Sequence, residues 1–298
     1  MFPIISGATA APAEGWKNTQ GIIGFQWTPT NNTNIINSSG VIAGDVSTAG
    51  VQARGYVTGC EWGGDKGMFF GGYYGVWASW GGTNIVSNTG VIATDVAAVG
   101  TARGSTPGVH FGTDQGLICF SGSANNMTNT VSNVGVVQAD VTVAGGVTNR
   151  GADDQACEYG GDKAIIGFSG ASPNNVTNLV SNTGVVANDT AIPVGVTSRE
   201  GGGGCDYGDD KSILAYGPAP CVSNLISNLG VVASDVSGVG TCRPIGGSCE
   251  FGTDQGIFAF GGPDLTTTNR VSNLGIVASD GQAAGSGKNS CGGCSFAV

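Results

Sequence analysis

Residues 156–189 read ACEYGGDKAIIGFSGASPNNVTNLVSNTGVVAND, and variants of this stretch recur through the chain. Its turn residue, Lys163, has a counterpart about every 48 residues, a period typical of stacked or radial repeats. The counterparts are Gln20, Lys66, Gln115, Lys211 and Gln255. The chain of 298 residues therefore contains six copies of one unit.

Each unit consists of short apolar runs, such as AIIGF at 164–168, that are separated by clusters of Gly, Asp and Asn. Short runs rich in Ile, Val and Phe are typical of β-strands. No stretch has the sustained apolar period of roughly 3.6 residues that a helix requires. Four strands fit in one unit, and radial packing of four-stranded sheets hides most strand edges. We therefore predict an all-β, six-bladed β-propeller.

The two ends of the chain predict how the ring closes. The repeat starts just before a second strand at Gly21, and the chain ends in GCSFAV. This ending matches the innermost strands GCEWG at 59–63 and ACEYG at 156–160. We expect the C-terminal strand to complete the first blade. The predicted organisation is an N-terminal arm at 1–15 and a propeller at 16–298.

Composition excludes several classes of function. Hydrophobic residues make up 40% of the chain, which is enough for a buried core, whereas charged residues make up only 11%. The formal net charge of −10 would repel a phosphate backbone, so we expect no nucleic-acid partner. No apolar run approaches the roughly 20 residues that span a bilayer. We therefore expect no membrane insertion, and the N-terminus lacks the pattern of a secretory signal.

The repeat resembles that of kelch-like propellers over about residues 16–298. The shared features are the period, a basic residue before each innermost strand, and apolar strands that end in Gly-Gly, as at 70–72 and 260–262. The characteristic late Trp of the kelch repeat is missing. The TN-x-x-SN-x-G and YGGDK-AI-x-GF segments are also similar to uncharacterised repeat proteins of tailed bacteriophages and aquatic environmental genomes. That resemblance implies a virion or surface-binding role.

Charged residues recur at fixed places in the repeat. The basic series is Arg54, Arg103, Arg150, Arg199, Arg243 and Lys288. One Asp series follows the TN-x-x-SN segment, namely Asp45, Asp95, Asp140, Asp189, Asp235 and Asp280. A second occupies the turns, namely Asp65, Asp114, Asp162, Asp210 and Asp254. We expect both Asp series on one face of the ring and the basic series at or near the other. The Asp residues either cap turns or bind cations or a basic partner.

The sequence predicts no catalytic residue and therefore no enzyme. The single histidine, His110, occupies the repeat position that Glu61, Glu158, Asp206 and Glu250 hold in other blades. We interpret this substitution as variation of the scaffold rather than as a catalytic base. The acids at that position could in principle serve a glycosidase, but their repetition argues against a unique site.

The cysteines also follow the repeat. Of nine, five occupy one position of the innermost strand, namely Cys60, Cys157, Cys205, Cys249 and Cys294, and Val109 takes that place in the remaining unit. Replacement by Val predicts a small, buried, reduced site. A metal site made of them would lack histidine partners. We predict no metal and no cofactor.

One segment interrupts the repeat. Residues 72–81 read GYYGVWASWG, and this loop is longer and more aromatic than its counterparts. Exposed aromatic side chains on a rigid scaffold favour binding of partners or sugars. Alternatively, the rings cover a hydrophobic edge or pack on the N-terminal arm. The predicted ligand-binding residues are those of this loop and of the equivalent loop in the first blade, namely Trp27, Tyr73, Tyr74, Trp77 and Trp80.

We conclude that the protein is a non-enzymatic binding or structural module, most consistent with a phage virion component that is tail-associated or decorates the particle. It would dock on other virion proteins or bind a host surface glycan, as part of a larger assembly in the virion or otherwise at a cell surface. Phe2, Ile4 and Ile5 of the arm are the predicted docking residues, unless the arm is a free tail. The alternative is a carbohydrate-active or carbohydrate-binding propeller, either a glycosidase or lectin-like. An intracellular kelch adaptor is disfavoured because no adaptor domain accompanies the repeats.

Overall fold

The computed structural model describes residues 17–298 except 29, 98, 122–124, 144, 151–153 and 169–174. Small antiparallel sheets are arranged as a six-bladed β-propeller, which confirms the predicted fold. The N-terminal arm, with the predicted docking residues Phe2, Ile4 and Ile5, lies outside the described residues. Across the described ranges, no helix has the length and apolar character needed to cross a membrane.

Blades 1 to 3 contain the first twelve strands. In chain order these are β1 (Gln20–Gln26), β2 (Thr30–Ile36) and β3 (Val46–Ser47) of blade 1; β4 (Thr58–Trp62), β5 (Lys66–Phe70), β6 (Tyr73–Tyr74), β7 (Ala78–Ser79) and β8 (Thr83–Val86) of blade 2; and β9 (Gly108–Phe111), β10 (Gln115–Ser121), β11 (Asn125–Val131) and β12 (Val141–Thr142) of blade 3.

Blades 4 to 6 repeat the same order of four strands. They contain β13 (Gln155–Tyr159), β14 (Lys163–Gly167), β15 (Val176–Val180) and β16 (Thr190–Ala191); β17 (Gly203–Tyr207), β18 (Lys211–Ala215), β19 (Val222–Ile226) and β20 (Val236–Ser237); and β21 (Gly247–Phe251), β22 (Gln255–Ala259), β23 (Thr267–Val271) and β24 (Gly281–Gln282). The last strand, β25 (Gly292–Phe296), belongs to blade 1.

The two ends of the chain close the ring as predicted. Strand β25 pairs with β1 in an antiparallel register that sets Gln20 opposite Phe296 and Gly24 opposite Gly292.

Blade 2 departs from the four-stranded pattern. Its sheet is β4-β5-β8, a single bridge to Val96 replaces the outer strand, and the β6–β7 hairpin is inserted after β5.

A ring of backbone hydrogen bonds joins the blades at the turns between their first and second strands. In each case an amide of one blade donates to a carbonyl of the next, as Gly63 does to Asp114 at 2.8 Å. The other pairs are Gly112 to Asp162, Gly160 to Asp210, Gly208 to Asp254, Gly252 to Thr19 and Ala297 to Asp65. Apolar clusters fill the space between neighbouring blades, for example Ile22 and Phe25 of blade 1 against Phe69 and Val86 of blade 2.

The basic series lies buried between blades. Arg54, for example, is fully buried and stacks 4.2 Å from the ring of Phe25 in the preceding blade. It donates to Asn84 Oδ1 at 2.7 Å, and Asn84 donates to Asp95 Oδ1 at 2.9 Å. We call such a set of a basic residue, an Asn and an Asp the interblade latch. The Asn–Asp pair recurs in every blade, as Asn34–Asp45, Asn84–Asp95, Asn129–Asp140, Asn178–Asp189, Asn224–Asp235 and Asn269–Asp280.

The latches show that the expected separation of the Asp45 series from the basic series is wrong. The Asp45 series does not lie opposite the basic series, because Lys288 Nζ is 2.5 Å from Asp45 Oδ1 and Arg103 Nη1 is 3.4 Å from Asp140 Oδ1. A buried cation requires a nearby counter-charge and hydrogen-bond acceptors. That requirement brings the two series together between the blades.

The repeated cysteines pack as predicted. Cys60, Cys157, Cys205, Cys249 and Cys294 are free and buried, which confirms the predicted packing. Each blade leaves little room beside its cysteine: a Cβ added to Gly67 would lie 2.5 Å from Cys294 Sγ of the preceding blade. Cys221 and Cys242, which the sequence analysis did not pair, form a disulfide with their Cα atoms 5.3 Å apart.

Candidate functional site

The inner strands place one polar residue each on the propeller axis. Since side chains alternate along a strand, a buried cysteine between the blades directs the next residue toward the axis. That next residue is Ser295, Glu61, His110, Glu158, Asp206 and Glu250 in blades 1 to 6, and all six line the same axial cavity. We call these six residues the axial ring.

The axial ring is a closed circle of contacts. The Ser295 amide donates to Glu61 Oε1 at 2.7 Å, and Glu61 Oε2 lies 3.1 Å from His110 Nδ1. His110 Nε2 contacts the Glu158 carboxylate, and the Glu158 amide donates to Asp206 Oδ1 at 2.7 Å. The circle is completed from Asp206 to Glu250 by a side-chain hydrogen bond and from the Glu250 amide to Ser295 Oγ at 2.8 Å.

The charge state of the ring differs from one side to the other. Burial alone would lower the pKa of His110, but the charge of Glu158 and the contact with Glu61 raise it to about 9. Burial also raises the pKa of Glu61, yet the hydrogen bond and charge of His110 outweigh burial and hold it below its usual value. His110 and Glu61 therefore form an ion pair at neutral pH.

The other three acids of the ring retain protons more readily. Burial raises the pKa of Glu158 well above its usual value, against the lowering effect of His110. Burial likewise raises the pKa of Asp206 and, with the charge of Asp206, that of Glu250. Like charges close together in a dry site cannot all ionise. The ring thus contains four acidic side chains, and His110 is the one side chain in it that can neutralise them.

A cavity of about 460 Å³ opens above the axial ring. Its walls come from the inner-strand residues that precede the ring by two positions, which are all small: Gly59, Gly108, Ala156, Gly204, Ser248 and Gly293. A Cβ on Gly293 would lie 2.4 Å from the backbone oxygen of Ser248, so close approach of neighbouring inner strands requires this glycine. The result is a funnel along the axis with the polar ring as its floor.

Aromatic side chains stand at one side of the funnel mouth. The ring centroids of Trp27 and Trp77 are 4.1 Å apart, and Tyr56 lies 5.2 Å from Trp27 and 5.6 Å from Trp77. Tyr73 completes the group at 5.6 Å from Trp77. Trp27 and Tyr56 also line the funnel, and Trp77 is 57% exposed. We call these four residues the aromatic rim.

The structure brings together three of the five aromatic residues that the sequence analysis selected. Trp27, Tyr73 and Trp77 belong to the rim, whereas Tyr74 projects from the hairpin and is 39% exposed. Trp80 packs elsewhere, with its ring centroid 4.0 Å from the Arg54 guanidinium, which also stacks on Phe25. Trp80 therefore packs on a latch residue, where its ring stabilises the buried arginine through a cation–π interaction.

The sequence analysis did not select Tyr56, and it interpreted the ring residues as scaffold. Tyr56 had a detectable signal, because the equivalent positions two residues after the basic residue hold Ser105, Gly201, Ile245 and Ser290. For the ring, repetition was taken as evidence against a unique site. In the fold, the equivalent positions on the inner strands converge on one axis and line one cavity, which repetition in the sequence does not reveal.

Comparisons with known proteins support the fold and do not identify a function. No protein-family model matches the chain, and no curated protein matches it. Among solved structures, the chain is similar to a protein of unknown function from Bacteroides caccae. The TM-score is 0.53 at 10% identity, and the match covers 93% of this chain and 99% of the other. At that identity the similarity shows a shared fold and nothing further about the site.

Proposed function

We propose that the protein is a non-enzymatic binding module that takes a glycan at the mouth of the axial funnel. The observation that supports this proposal is the aromatic rim, which shares Trp27 and Tyr56 with the lining of the funnel. The aromatic rim therefore continues directly into the cavity above the polar axial ring. Large aromatic side chains beside a few polar groups are typical of sites that bind small organic ligands.

The size and chemistry of the funnel suit a polyhydroxylated ligand. Its volume of about 460 Å³ falls within the range of small-molecule sites. Near the rim, Ser105, Asn289 and Ser290 line the cavity and can exchange hydrogen bonds with hydroxyl groups. The C–H face of a sugar ring can stack on Trp77 while its hydroxyl groups reach those side chains.

The charge of the protein favours a neutral ligand. The net charge of −10 and the acids of the axial ring oppose anionic groups, including phosphates and uronic acids. Aromatic stacking requires no charge on the ligand. We therefore expect neutral glycans to bind and acidic glycans to bind more weakly.

A glycan screen with matched variants tests the proposal. Labelled protein is applied to a glycan array, and hits are measured by titration calorimetry. Trp77→Ala should weaken binding by about tenfold, since a sugar ring stacked on this exposed side chain would bury it and lose that contact in the variant. Tyr74→Ala is the control, because it removes an aromatic ring from the same hairpin outside the rim. No hit on the array, or equal losses in both variants, would exclude this site.

Glycoside hydrolysis is the second candidate, and the axial carboxylates favour it. Glu158 holds a proton more readily than an ordinary glutamate and Glu61 less readily, the combination of acid and base that glycosidases use. Chromatography of a bound oligosaccharide after long incubation distinguishes the two candidates. Cleavage that disappears in Glu158→Gln and in Glu61→Gln would replace the binding proposal, and an intact ligand supports it.

We also propose that the protein acts as a phage virion component, which is the role implied by the similarity of its TN-x-x-SN-x-G and YGGDK-AI-x-GF segments to phage repeat proteins. The surface poor in charge, with 11% charged residues, supports an assembly exposed to the environment. Detection of the chain by mass spectrometry in purified particles tests this setting. Its presence only in the soluble fraction of infected cells would contradict it.

A further inference from the structure

Three residues of the axial ring present possible metal ligands to one another. The ligand atoms of His110, Glu158 and Asp206 all lie within 4.8 Å of each other. They come from the consecutive inner strands β9, β13 and β17, so the propeller itself fixes their spacing. His110 is 1% and Glu158 5% exposed. Such burial removes most of the water that would otherwise solvate their charges.

We propose that His110, Glu158 and Asp206 bind one divalent transition-metal cation at the floor of the funnel. One imidazole and two carboxylates provide three protein ligands, and the funnel above them leaves a position open for water or a ligand atom. Mixed nitrogen and oxygen ligands suit Zn²⁺ or Mn²⁺. Ca²⁺ and Mg²⁺ prefer oxygen ligands alone, so His110 selects against them.

The contacts of His110 support this arrangement. Its Nδ1 is held at 3.1 Å by Glu61 Oε2, which leaves Nε2 directed toward Glu158. A bound metal ion takes the place of the proton that Nε2 carries in the His110–Glu61 ion pair. Glu61 is itself fixed by the Ser295 amide at 2.7 Å. A carboxylate that orients the far nitrogen of a ligating histidine is a common feature of metal centres. Glu61 would therefore be a positioning residue rather than a ligand.

The electrostatics of the axis favour a bound cation. Glu61, Glu158, Asp206 and Glu250 face one imidazole within the ring, and no lysine or arginine lines the cavity among the described residues. Each buried carboxylate requires a counter-charge or a proton. A divalent cation would supply two positive charges where the acids meet.

A buried amide at the wall of the funnel also lacks a protein partner in the part of the chain that the structure describes. Gln155 lines the cavity three residues before Glu158 and is 1% exposed. Neither polar atom of its amide has a hydrogen-bond partner among the described residues. Buried amides are nearly always satisfied, by protein, by ordered water or by a ligand. The funnel, which is open to solvent at the rim, provides the entry path that a metal site needs.

The experiment measures metal binding without any glycan, so its result does not depend on the proposed function. Full-length protein is stripped with a chelator and titrated with MnCl₂, followed by electron paramagnetic resonance and calorimetry. Mn²⁺ is the preferred probe because it has little affinity for thiolates, which excludes the free cysteines as ligands. ZnCl₂ is titrated in parallel, and CaCl₂ and MgCl₂ serve as comparators. We expect one Mn²⁺ per chain and weaker binding of Ca²⁺ and Mg²⁺.

Variants of matched charge identify the site. Glu158→Gln and Asp206→Asn should each weaken Mn²⁺ binding by more than about tenfold, and Glu61→Gln by about 10- to 100-fold through His110. Asp114→Asn removes the same charge from an exposed turn and should leave the affinity unchanged. Glu250→Gln, in the ring but outside the three ligands, should change it less than Glu158→Gln.

These outcomes distinguish a specific metal site from non-specific attraction of cations to an acidic protein. Absence of binding in the wild-type protein overturns the proposal, and so do equal losses in Glu158→Gln and Asp114→Asn. Circular dichroism and the thermal midpoint show whether each variant is folded. If Glu158→Gln does not fold, His110→Asn provides the same test, with retained Mn²⁺ affinity in that variant as the contradicting result.

Discussion

The axial ring and the interblade latches are both repeated in every blade, yet they differ in what repetition produces. Latch residues lie between blades, far enough out that each set, such as Arg199, Asn224 and Asp235, serves its own interface. Ring residues lie on the axis, where the six positions meet in one circle of contacts. Repetition thus gives six separate copies of a structural device in one region and one ring of contacting residues around a single cavity in the other.

The latches and the axial ring also differ in the variety of their residues. The latches have five arginines and one lysine, with Asn and Asp at every Asn–Asp pair. The axial ring combines Ser, Glu, His, Glu, Asp and Glu. Within one chain, uniform residues at equivalent positions indicate a shared packing requirement. Varied polar residues at equivalent axial positions make the ring chemically asymmetric, as the proposed binding of one metal ion at three of its six residues requires.

The largest expected effect comes from removal of one latch cation. Arg199→Ala leaves Asn224 Oδ1 and the Leu214 carbonyl without their donor, at 2.6 and 2.8 Å in the wild type, and removes the stacking on Phe168. We expect a loss of about 3–5 kcal/mol in the free energy of unfolding, measured by urea denaturation. A loss below about 1 kcal/mol would show that the latches do not hold the blades together.

The next effect tests the contact between blades near the axis. Gly67→Ala places a Cβ against Cys294 Sγ and should cost about 1–3 kcal/mol through overpacking. The double variant Gly67→Ala with Cys294→Ala provides space and should recover part of that loss. Additive losses in a double-mutant cycle would mean that the two residues are not in contact.

A smaller effect concerns the latch carboxylates and pH. Burial raises the pKa of Asp189, but hydrogen bonds from Thr148 and Asn178 outweigh it and hold the pKa below its usual value. A folded-state pKa below the unfolded value of 3.8 gives stability that is present above 3.8 and lost as pH falls through the folded-state value. Asp189→Asn should cost about 1 kcal/mol at neutral pH and reduce the loss of stability on acidification.

The comparison between wild type and Asp189→Asn is made by thermal unfolding from pH 6 to pH 2. Asp114→Asn, which removes a carboxylate from an exposed turn outside the latches, is the control. Parallel profiles for wild type and Asp189→Asn would contradict the role of this hydrogen-bonded carboxylate.

The smallest effect on stability is expected in the axial ring. Burial opposes ionisation of Glu158, so Glu158→Gln keeps the shape and removes a group whose charged form is unfavourable. We expect a change below about 1 kcal/mol in metal-free protein, in either direction. Denaturation of the two proteins in a chelator measures it. A loss comparable to that of Arg199→Ala would show that the ring is scaffold like the latches.

The fold could be predicted from the sequence because the repeat period and the matching ends of the chain are visible without knowledge of three-dimensional contacts. The six units, their strands and the pairing of β25 with β1 all follow from residues that can be compared by eye. The aromatic rim was partly predictable, since Trp27, Tyr73 and Trp77 interrupt the repeat. The contact of Trp80 with Arg54, 26 residues earlier in the chain, could not be predicted because the two side chains meet only in the folded protein.

The axial ring and the disulfide required the fold in three dimensions. His110 and Glu158 are 48 residues apart and meet only because inner strands surround one axis. Cys221 lies just before β19 and Cys242 just before a latch arginine, and the repeat gives neither a counterpart that would reveal the pair. Sequence comparison identified equivalent positions correctly, but it could not tell positions that converge from positions that stay apart.

Anomalous diffraction from crystals soaked in MnCl₂ tests most directly whether the equivalent axial positions form one site. The account predicts a single strong peak on the propeller axis, bound by His110 Nε2 and carboxylate oxygens of Glu158 and Asp206. Peaks confined to the acidic turns around Asp114 and its counterparts, with none on the axis, would contradict it.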